Sequence, residues 1–144
     1  MGESATFQEA IRQYCPGYSM PQRFYADPNI FEMDLDRIYR RHWLLSGPTC
    51  RVPPPGDYFT YQIANDSIVI LRDEAEAIRA HHDVCRHRGS RICLEEQGHA
   101  KRLVCPYRNW SYDLNGMLCS ARHLPEEYDR HQIGLHPVGG VVGE

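Results

Sequence analysis

Two short loop motifs constrain this chain more than any other feature of its sequence. The first reads C-R-H-R-G-S-R at 85–91, and the second reads C-P-Y-R-N-W-S-Y-D-L-N-G at 105–116. Cys85 and His87 offer a thiolate and an imidazole from the first loop, and Cys105 offers a thiolate from the second. Such ligands, presented from two separate loops, are typical of iron–sulfur and zinc centres. The stretch therefore predicts a metal site clamped between two loops.

Length, charge and cysteine content indicate what class of protein carries this site. The chain has 144 residues and a formal net charge of -3, which fits one globular domain and disfavours nucleic-acid binding. No apolar run approaches the ~20 residues that span a bilayer, and the N-terminus lacks a secretory signal. We therefore expect a cytoplasmic protein that binds no membrane. In that compartment cysteines bind metal or stay free, so Cys15, Cys50 and Cys119 are interpreted as small buried side chains.

The first 42 residues predict little regular structure apart from one short helix. Residues 1–26 contain prolines and a glycine without sustained periodicity, which indicates an irregular arm with at most a short helical turn at 6–13. Asp27-Pro28 is a start signal for a helix or a turn. Asp34 is a second candidate cap, and an apolar stripe beginning at Leu35 predicts a short helix over about 34–41.

From residue 43 the pattern predicts short antiparallel strands. Apolar runs separated by Asn, Asp, Gly and Pro at intervals of about eight to twelve residues are typical of an all-β sandwich or barrel. Asn115-Gly116 is a strong hairpin signal. The predicted strands cover 43–45, 58–63, 67–71, 77–84, 103–104, 110–114 and 117–119. The strands at 77–84 and 103–104 deliver the two cysteines into their loops.

The stretch resembles the Rieske [2Fe–2S] domain, most closely the N-terminal domain of Rieske non-haem iron oxygenase large subunits of the choline/betaine or aromatic-ring-hydroxylating type. The resemblance is carried by C-R-H-R-G at 85–89, C-P-Y at 105–107 and W-S-Y-D-L-N-G at 110–116, supported by D-P-N-I-F-E at 27–32, R-R-H-W at 40–43 and P-G-D-Y at 55–58. Rieske proteins of respiratory complexes have an extra cysteine in each loop. Ser90 and Tyr107 stand at those places here, which favours the oxygenase or ferredoxin type.

The resemblance implies an all-β, Rieske-type antiparallel β-sandwich with a small cluster-binding subdomain and a short N-terminal helix. It divides the chain into an irregular arm at 1–26, a Rieske domain at 27–138 and a Gly-rich tail at 139–144. It also implies that the mononuclear iron catalytic domain of an oxygenase is absent from this chain. The chain is then an oxidoreductase component, a truncated oxygenase or a stand-alone carrier, and does not oxygenate a substrate by itself.

The resemblance implies a ligand set with one departure. Cys85 and Cys105 would hold one iron and His87 the other, while Arg108 stands where the family has a second histidine. A guanidinium has no acceptor and must lose a proton to ligate iron, at a cost of about 7–9 kcal/mol at neutral pH. We therefore expect an incomplete or labile cluster at a site formed by Cys85, His87, Cys105 and Arg108.

Cys93 and His99 lie between the two motifs and are candidate substitutes for the missing ligand. The simpler interpretation is a buried thiol and an exposed loop histidine. Two alternatives to an iron–sulfur cluster also follow from the missing histidine. One is a zinc site built from Cys85, His87, Cys105 and a substitute, and the other is a cluster-free β-module for binding or assembly.

The function implied by the resemblance is electron transfer through a [2Fe–2S] cluster, as in monooxygenases and ring-hydroxylating dioxygenases. The implied electron donor is a ferredoxin or a flavin/iron–sulfur reductase, and the implied assembly is a homotrimer. Basic side chains surround the two loops, which would attract an acidic donor. They are Arg86, Arg88, Arg91, Lys101, Arg102 and Arg108.

Overall fold

The computed structural model describes residues 3–140, and of residues 3–6 only the backbone. The chain divides into two units, Met1–Leu44 and Leu45–Glu144, which are taken in turn. Among the described residues no helix is long and apolar enough to cross a membrane.

The first unit is helical. Its elements are α1 (Glu3–Arg12), α2 (Arg23–Ala26), α3 (Pro28–Asp34) and a π-helical segment, Leu35–Tyr39. Asp27 caps α3, because its carboxylate accepts a hydrogen bond from the Asn29 amide at 2.9 Å and Pro28 supplies the preset φ of a first helical residue. The start signal at Asp27-Pro28 is therefore a helix start.

Two predictions for this unit are corrected. The helix placed at about 34–41 begins at Pro28, since Asp34 has helical backbone angles and caps nothing. The apolar stripe predicted to begin at Leu35 is not observed either. Leu35 is buried but Ile38 is 49% exposed, because the wider π-helical turns change the angular spacing of side chains. In the arm predicted as irregular, residues 3–12 form α1, which has ten residues.

The second unit contains a four-stranded antiparallel sheet with strand order β3-β2-β1-β4. The strands are β1 (Asp57–Ile63), β2 (Asp66–Arg72), β3 (Ile78–His82) and β4 (Gln97–His99). The central strand β2 is buried on both faces. Val69 and Leu71 pack with the cluster-loop cysteines, while Ile68 and Ile70 pack with Phe59 on the opposite face. The continuous apolar run at 68–71, from which the strand was predicted, thus supplies both faces, because successive side chains of a strand point to opposite sides of the sheet.

A smaller three-stranded antiparallel sheet lies in the same unit. It consists of β5 (Leu103–Val104), β6 (Ser111–Tyr112) and β7 (Leu118–Ser120), in that order. The predicted hairpin at Asn115-Gly116 is confirmed, with shorter strands. The Asp113 carboxylate accepts hydrogen bonds from the Asn115 and Met117 amides, both at 2.9 Å, and Gly116 adopts a positive φ of 85°. The predicted all-β fold with a small subdomain is thus confirmed.

One strand prediction is wrong, and one observed strand was not predicted. No strand forms at 43–45, where Trp43 is 73% exposed and Leu45 92% exposed, because that apolar run has no partner strand. Strand β4 was not predicted, since its three residues are exposed and carry no alternating apolar signal. Near the tail, His81 and Pro137 form an isolated bridge, and 141–144 of the predicted tail lie outside the described residues.

Candidate metal centre

The first loop is a tight turn closed by its own backbone. Cys85 follows β3, and its amide donates a hydrogen bond to the Ser90 carbonyl at 2.8 Å. The Gly89 amide donates back to the Cys85 carbonyl at 2.9 Å. Gly89 adopts a φ of +71°, a region that favours glycine because it has no Cβ. These bonds hold the cysteine at the start of a rigid loop.

The second loop repeats this backbone pattern residue for residue. The Cys105 amide donates to the Trp110 carbonyl at 2.8 Å, and the Asn109 amide donates to the Cys105 carbonyl at 2.9 Å. Asn109 takes the place of Gly89, with a φ of +58° that asparagine tolerates better than most residues. Both loops therefore present a cysteine in the same local geometry, although their sequences differ.

The two cysteine sulfurs lie together in a buried pocket lined with hydrogen-bond donors. Cys85 is 2% exposed and Cys105 1% exposed. Burial raises the pKa of the Cys85 thiol, and the neighbouring Cys105 adds to this. Burial opposes ionisation of Cys105 too, but donors from the Tyr107 and Arg108 amides and the Ser90 hydroxyl lower its pKa. Amides aimed at a sulfur stabilise the negative charge of a metal-bound thiolate.

Tyr112 supplies a further donor to the same pocket. Its hydroxyl oxygen lies 3.3 Å from the Cys85 sulfur and accepts a hydrogen bond from the Arg86 amide at 3.0 Å. A metal-bound thiolate carries no proton, so in that state the hydroxyl is the donor and the sulfur the acceptor. Tyr112 is fully buried on β6, so the second sheet contributes directly to the first loop.

His87 has the features of a metal ligand. Its ring stacks on Trp110, with ring centroids 4.8 Å apart and an angle of 18° between the planes. Its Nδ1 atom is buried and has no hydrogen-bond partner among the described residues. Buried polar atoms are almost always satisfied, so a buried imidazole nitrogen without a partner needs an explanation. A bound iron would satisfy this nitrogen, and the donor set therefore fits a [2Fe–2S] cluster. Trp110 is 5% exposed, as expected for a side chain that supports the second loop.

Arg108 lies on the outside of the second loop. Its guanidinium carbon is 5.4 Å from the centre of the Tyr107 ring, and both side chains are exposed. A hydrogen bond from Arg108 and the positive charge of Arg88 lower the pKa of the Tyr107 hydroxyl. The guanidinium thus lies over the Tyr107 ring at the exposed loop tip.

Asp83 organises the first loop, a role that was not predicted from the sequence. Its side chain is fully buried and accepts hydrogen bonds from the Ile92 amide at 3.2 Å and the Cys93 amide at 2.8 Å. Ser67 on β2 donates to it at 3.1 Å, and Arg91 at 3.2 Å. One carboxylate therefore ties the start of the loop to its end and to the central strand. The only signal in the sequence is an aspartate two places before Cys85.

The three candidate ligands do not surround a single ion. Among residues 3–140 no group of three or more His, Cys, Asp or Glu side chains is arranged to hold one metal ion. That Cys85, His87 and Cys105 belong to one metal centre stays a prediction, because ligands can share a centre without converging on a single ion. A two-iron cluster spreads its ligands over two metals, so it does not require such convergence. The zinc-site alternative does require it and gains no support.

Cys93 and His99, the two candidate substitutes for the missing ligand, interact with other residues. Cys93 is buried, and burial together with the Asp83 carboxylate raises its pKa to about 12. The Nδ1 atom of His99 lies 2.8 Å from an Asp57 carboxylate oxygen, and the ring is exposed. A buried thiol and an exposed histidine are what the simpler interpretation predicted.

The other cysteines are unpaired as well. All six are free, but Cys15 and Cys50 are exposed and Cys119 is half-buried. The prediction that these three are buried side chains is therefore wrong for Cys15 and Cys50. The apolar character of a cysteine does not decide its burial when the surrounding segment lies at the surface, as does the 3₁₀-helix Thr49–Arg51 that contains Cys50.

Comparison with known proteins places this geometry in a family. The family described as "Rieske [2Fe-2S] domain" matches residues 42–132, more than half of the chain. The glycine betaine monooxygenase oxygenase subunit of Chromohalobacter salexigens is 40% identical over 131 residues, covering 90% of this chain and 29% of that protein. The biphenyl dioxygenase subunit alpha of Paraburkholderia xenovorans is 40% identical over 106 residues, covering 74% of this chain and 23% of that protein.

Solved structures agree with this placement. Naphthalene 1,2-dioxygenase with indole in its active site has a TM-score of 0.81 and 32% identity, covering 89% of this chain and 30% of that one. A quaternary ammonium Rieske monooxygenase has a TM-score of 0.74 and 31% identity, covering 81% of this chain and 33% of that one. The chain spans about a third or less of the length of these relatives. It belongs to the Rieske [2Fe–2S] domain family, as the electron-transferring domain found in Rieske oxygenase large subunits.

Proposed function

We propose that this chain is the electron-transfer part of a Rieske oxygenase, in which Cys85 and Cys105 hold one iron and His87 holds the other. The observation that carries the proposal is the buried Nδ1 of His87, which has no hydrogen-bond partner among the described residues. It stands in a loop whose backbone is repeated around Cys105. A bound [2Fe–2S] cluster would accept and release one electron at a time.

The residues around this site have separate tasks. The sulfurs of Cys85 and Cys105 are buried and receive hydrogen bonds, which keeps water from the two thiolates and stabilises their charge. The Trp110 ring covers one face of His87 and holds its orientation. The Tyr112 hydroxyl adds a donor at the Cys85 sulfur. Donors of this kind are a means by which a protein sets the potential of an iron–sulfur centre.

For the parent enzyme we propose a monooxygenase that acts on a quaternary ammonium compound. Alignment to the glycine betaine monooxygenase subunit covers 90% of this chain, compared with 74% for biphenyl dioxygenase. Substrate oxidation in that parent would be carried out by residues outside these 144, since the aligned part is 29% of the betaine relative. An aromatic-ring dioxygenase is the competing assignment for the parent.

A ferredoxin or a flavin/iron–sulfur reductase is proposed as the electron donor, and a cytoplasmic homotrimer as the assembly. Exposed basic side chains at the loops support an acidic donor, since opposite charge raises the rate of encounter. The proposed set is Arg86, Arg88, Arg91, Lys101, Arg102 and Arg108, all of which are exposed. The predicted effect is a reduction rate that falls steeply with ionic strength.

The cluster proposal is tested by anaerobic purification followed by iron and acid-labile sulfide analysis, visible absorption, and electron paramagnetic resonance after reduction. The expected result is two irons and two sulfides per chain, with the resonance of a reduced [2Fe–2S] centre. Cys85→Ser and Cys105→Ser should each abolish the signal, and Cys50→Ser is the matched control because that thiol is exposed and free. Iron-free protein, or cluster retained in both loop variants, would refute the proposal.

A further inference from the structure

His81 lies where three segments of the second unit meet. It belongs to β3, its side chain is only 4% exposed, and its Nε2 atom lies 3.3 Å from the Leu114 carbonyl oxygen in the hairpin that follows β6. Its backbone forms an isolated bridge with Pro137, in the C-terminal segment 134–138. Because a carbonyl oxygen can only accept a hydrogen bond, Nε2 carries the ring proton and Nδ1 carries a lone pair.

The other nitrogen of this ring has no room for a second proton's partner. The Nδ1 atom of His81 is buried and has no hydrogen-bond partner in the described part of the chain. The hairpin closes on this edge of the ring, since a Cβ atom at Gly116 would lie 2.8 Å from Cε1 and 3.0 Å from Nδ1. A proton added to Nδ1 would be a buried donor without an acceptor, on a buried cation. The closed arrangement therefore accommodates only the neutral ring.

The C-terminal segment 134–138 is held by backbone hydrogen bonds around this ring. They run from the amides of His82, Leu135 and Val138 to the carbonyls of His136 (2.9 Å), Gly116 (2.7 Å) and Ala80 (2.8 Å), respectively. β3 is an edge strand of its sheet, so the segment covers an edge that would otherwise be open. Of the five residues of the segment only Leu135 is buried, whereas β3 pairs with β2 along its whole length. The segment is thus the least firmly held of the three parts that meet at the ring.

The charged groups near the ring do not remove the cost of protonation. Burial is the main cause that lowers the pKa of His81, and Arg79 on the same strand lowers it further. The hydrogen bond to the hairpin carbonyl and the charge of Asp113 act in the opposite direction and do not outweigh burial. Val69, the residue opposite on β2, has no charge, and the one titratable residue of the segment, His136, is exposed.

We propose that His81 is a pH-sensitive switch, in which proton uptake by the buried ring releases segment 134–138 from β3 and from the hairpin. A ring exposed by release would bind a proton near its ordinary pKa of about 6.5, whereas the closed form binds it more weakly. Closure is therefore fully favoured above about pH 6.5, and the released form gains as the pH falls below that value. Release would open the outer edge of β3. The inference does not depend on a bound cluster and goes beyond the electron transfer proposed above.

The test is hydrogen–deuterium exchange of the full chain, measured by mass spectrometry and expressed as protection relative to the intrinsic exchange rate at each pH. Between about pH 7.5 and about pH 5.5 the protection of the Leu135 and Val138 amides should fall by up to about tenfold, because a released ring with a pKa near 6.5 gains that factor in stability. The Thr60 amide, which donates to the Glu96 carbonyl at 2.8 Å, should keep its protection at both pH values.

Histidine variants identify the group that titrates. His81→Gln has no titrating ring, so the protection of the segment should be the same at both pH values. His82→Gln and His136→Gln remove exposed neighbouring histidines and should behave as the unchanged chain does. If His81→Gln does not fold, the ring of His81 is titrated in the unchanged chain by nuclear magnetic resonance. It should gain its proton only as the signals of segment 134–138 change.

Three results would overturn the inference. The first is equal protection of the segment at both pH values in the unchanged chain. The second is a fall at Thr60 as large as that at Val138, because the whole sheet would then be opening. The third is a pH dependence that persists in His81→Gln, or a His81 ring that titrates while the segment stays protected. None of these results changes the outcome of the iron and sulfide analysis that tests the cluster proposal.

Discussion

Replacing Asp83 by alanine should destabilise the first cluster loop more than any other single change outside the ligands. The variant leaves the buried Ile92 and Cys93 amides without their acceptor and also removes the partner of Ser67. Each buried donor left unsatisfied costs about 1–3 kcal/mol, so the two amides together cost roughly 2–6 kcal/mol. The ion pair with Arg91, whose side chain is 43% exposed, adds little, about 0–1 kcal/mol.

A loss of this size is comparable to the whole stability of a small domain, roughly 5–15 kcal/mol. This loss of stability should affect mainly the first loop, because the two amides belong to residues that follow Cys85 by seven and eight positions. Asp83→Asn should cost less, since one oxygen acceptor remains at nearly the same place. We therefore expect iron retention in the order unchanged chain, Asp83→Asn, Asp83→Ala.

Asp73 offers a matched control at a distance from the cluster loops. It is also buried and accepts hydrogen bonds from two amides, Ala75 at 2.9 Å and Ala77 at 2.8 Å, and from the Arg79 guanidinium at 2.8 Å. Asp73→Ala should therefore lower stability through the β2–β3 turn, but by less than Asp83→Ala, because Ala75 and Ala77 are exposed and water can satisfy their amides. It should leave iron retention near that of the unchanged chain whenever the protein is folded.

The assay combines urea unfolding, which gives the free energy of unfolding of each variant, with iron content measured at a urea concentration where all variants are folded. We expect both alanine variants to lose stability and Asp83→Ala alone to lose iron. Equal iron loss in both variants would show that global stability, rather than the Asp83 contacts, controls cluster retention.

Three further outcomes are expected. Tyr112→Phe removes the hydroxyl 3.3 Å from the Cys85 sulfur, so the reduction potential of the cluster, measured by redox titration, should fall. An unchanged potential would mean that the hydroxyl does not donate a hydrogen bond to the sulfur. Burial lowers the pKa of His81 in the folded protein. The free energy of unfolding should therefore fall as the pH drops from about 6.5, the usual pKa of histidine, toward that lower pKa. His81→Gln should remove this pH dependence, as measured by urea unfolding at several pH values. Trp110→Ala removes the ring stacked on His87, which should lower the free energy of unfolding by about 3–5 kcal/mol and cause loss of iron. Trp110→Phe should retain more stability and more iron, as measured by urea unfolding and iron content.

The sequence by itself determined the fold class and the two cluster loops. Local patterns were sufficient there: the continuous apolar run of β2, the Asn115-Gly116 turn and the capping of α3 by Asp27 each depend on neighbours a few residues away. The cysteines follow β3 and β5 as their spacing predicts. Local signals failed where no local partner exists, as at 43–45, which is not a strand, and at β4, whose residues pair with residues of β1 that lie 38 to 42 positions earlier.

Only the tertiary structure decided how the site is built. The contact of Tyr112 with Cys85 joins residues 27 positions apart, and the acceptor role of Asp83 for Ser67 joins residues 16 apart. The unsatisfied nitrogen of His87 and the engagement of Arg108 by Tyr107 are likewise properties of side-chain placement. The physical reason is that a residue type specifies which hydrogen bonds and ligands a side chain can form. Which of them it does form depends on the atoms that the folded chain brings within about 3 Å.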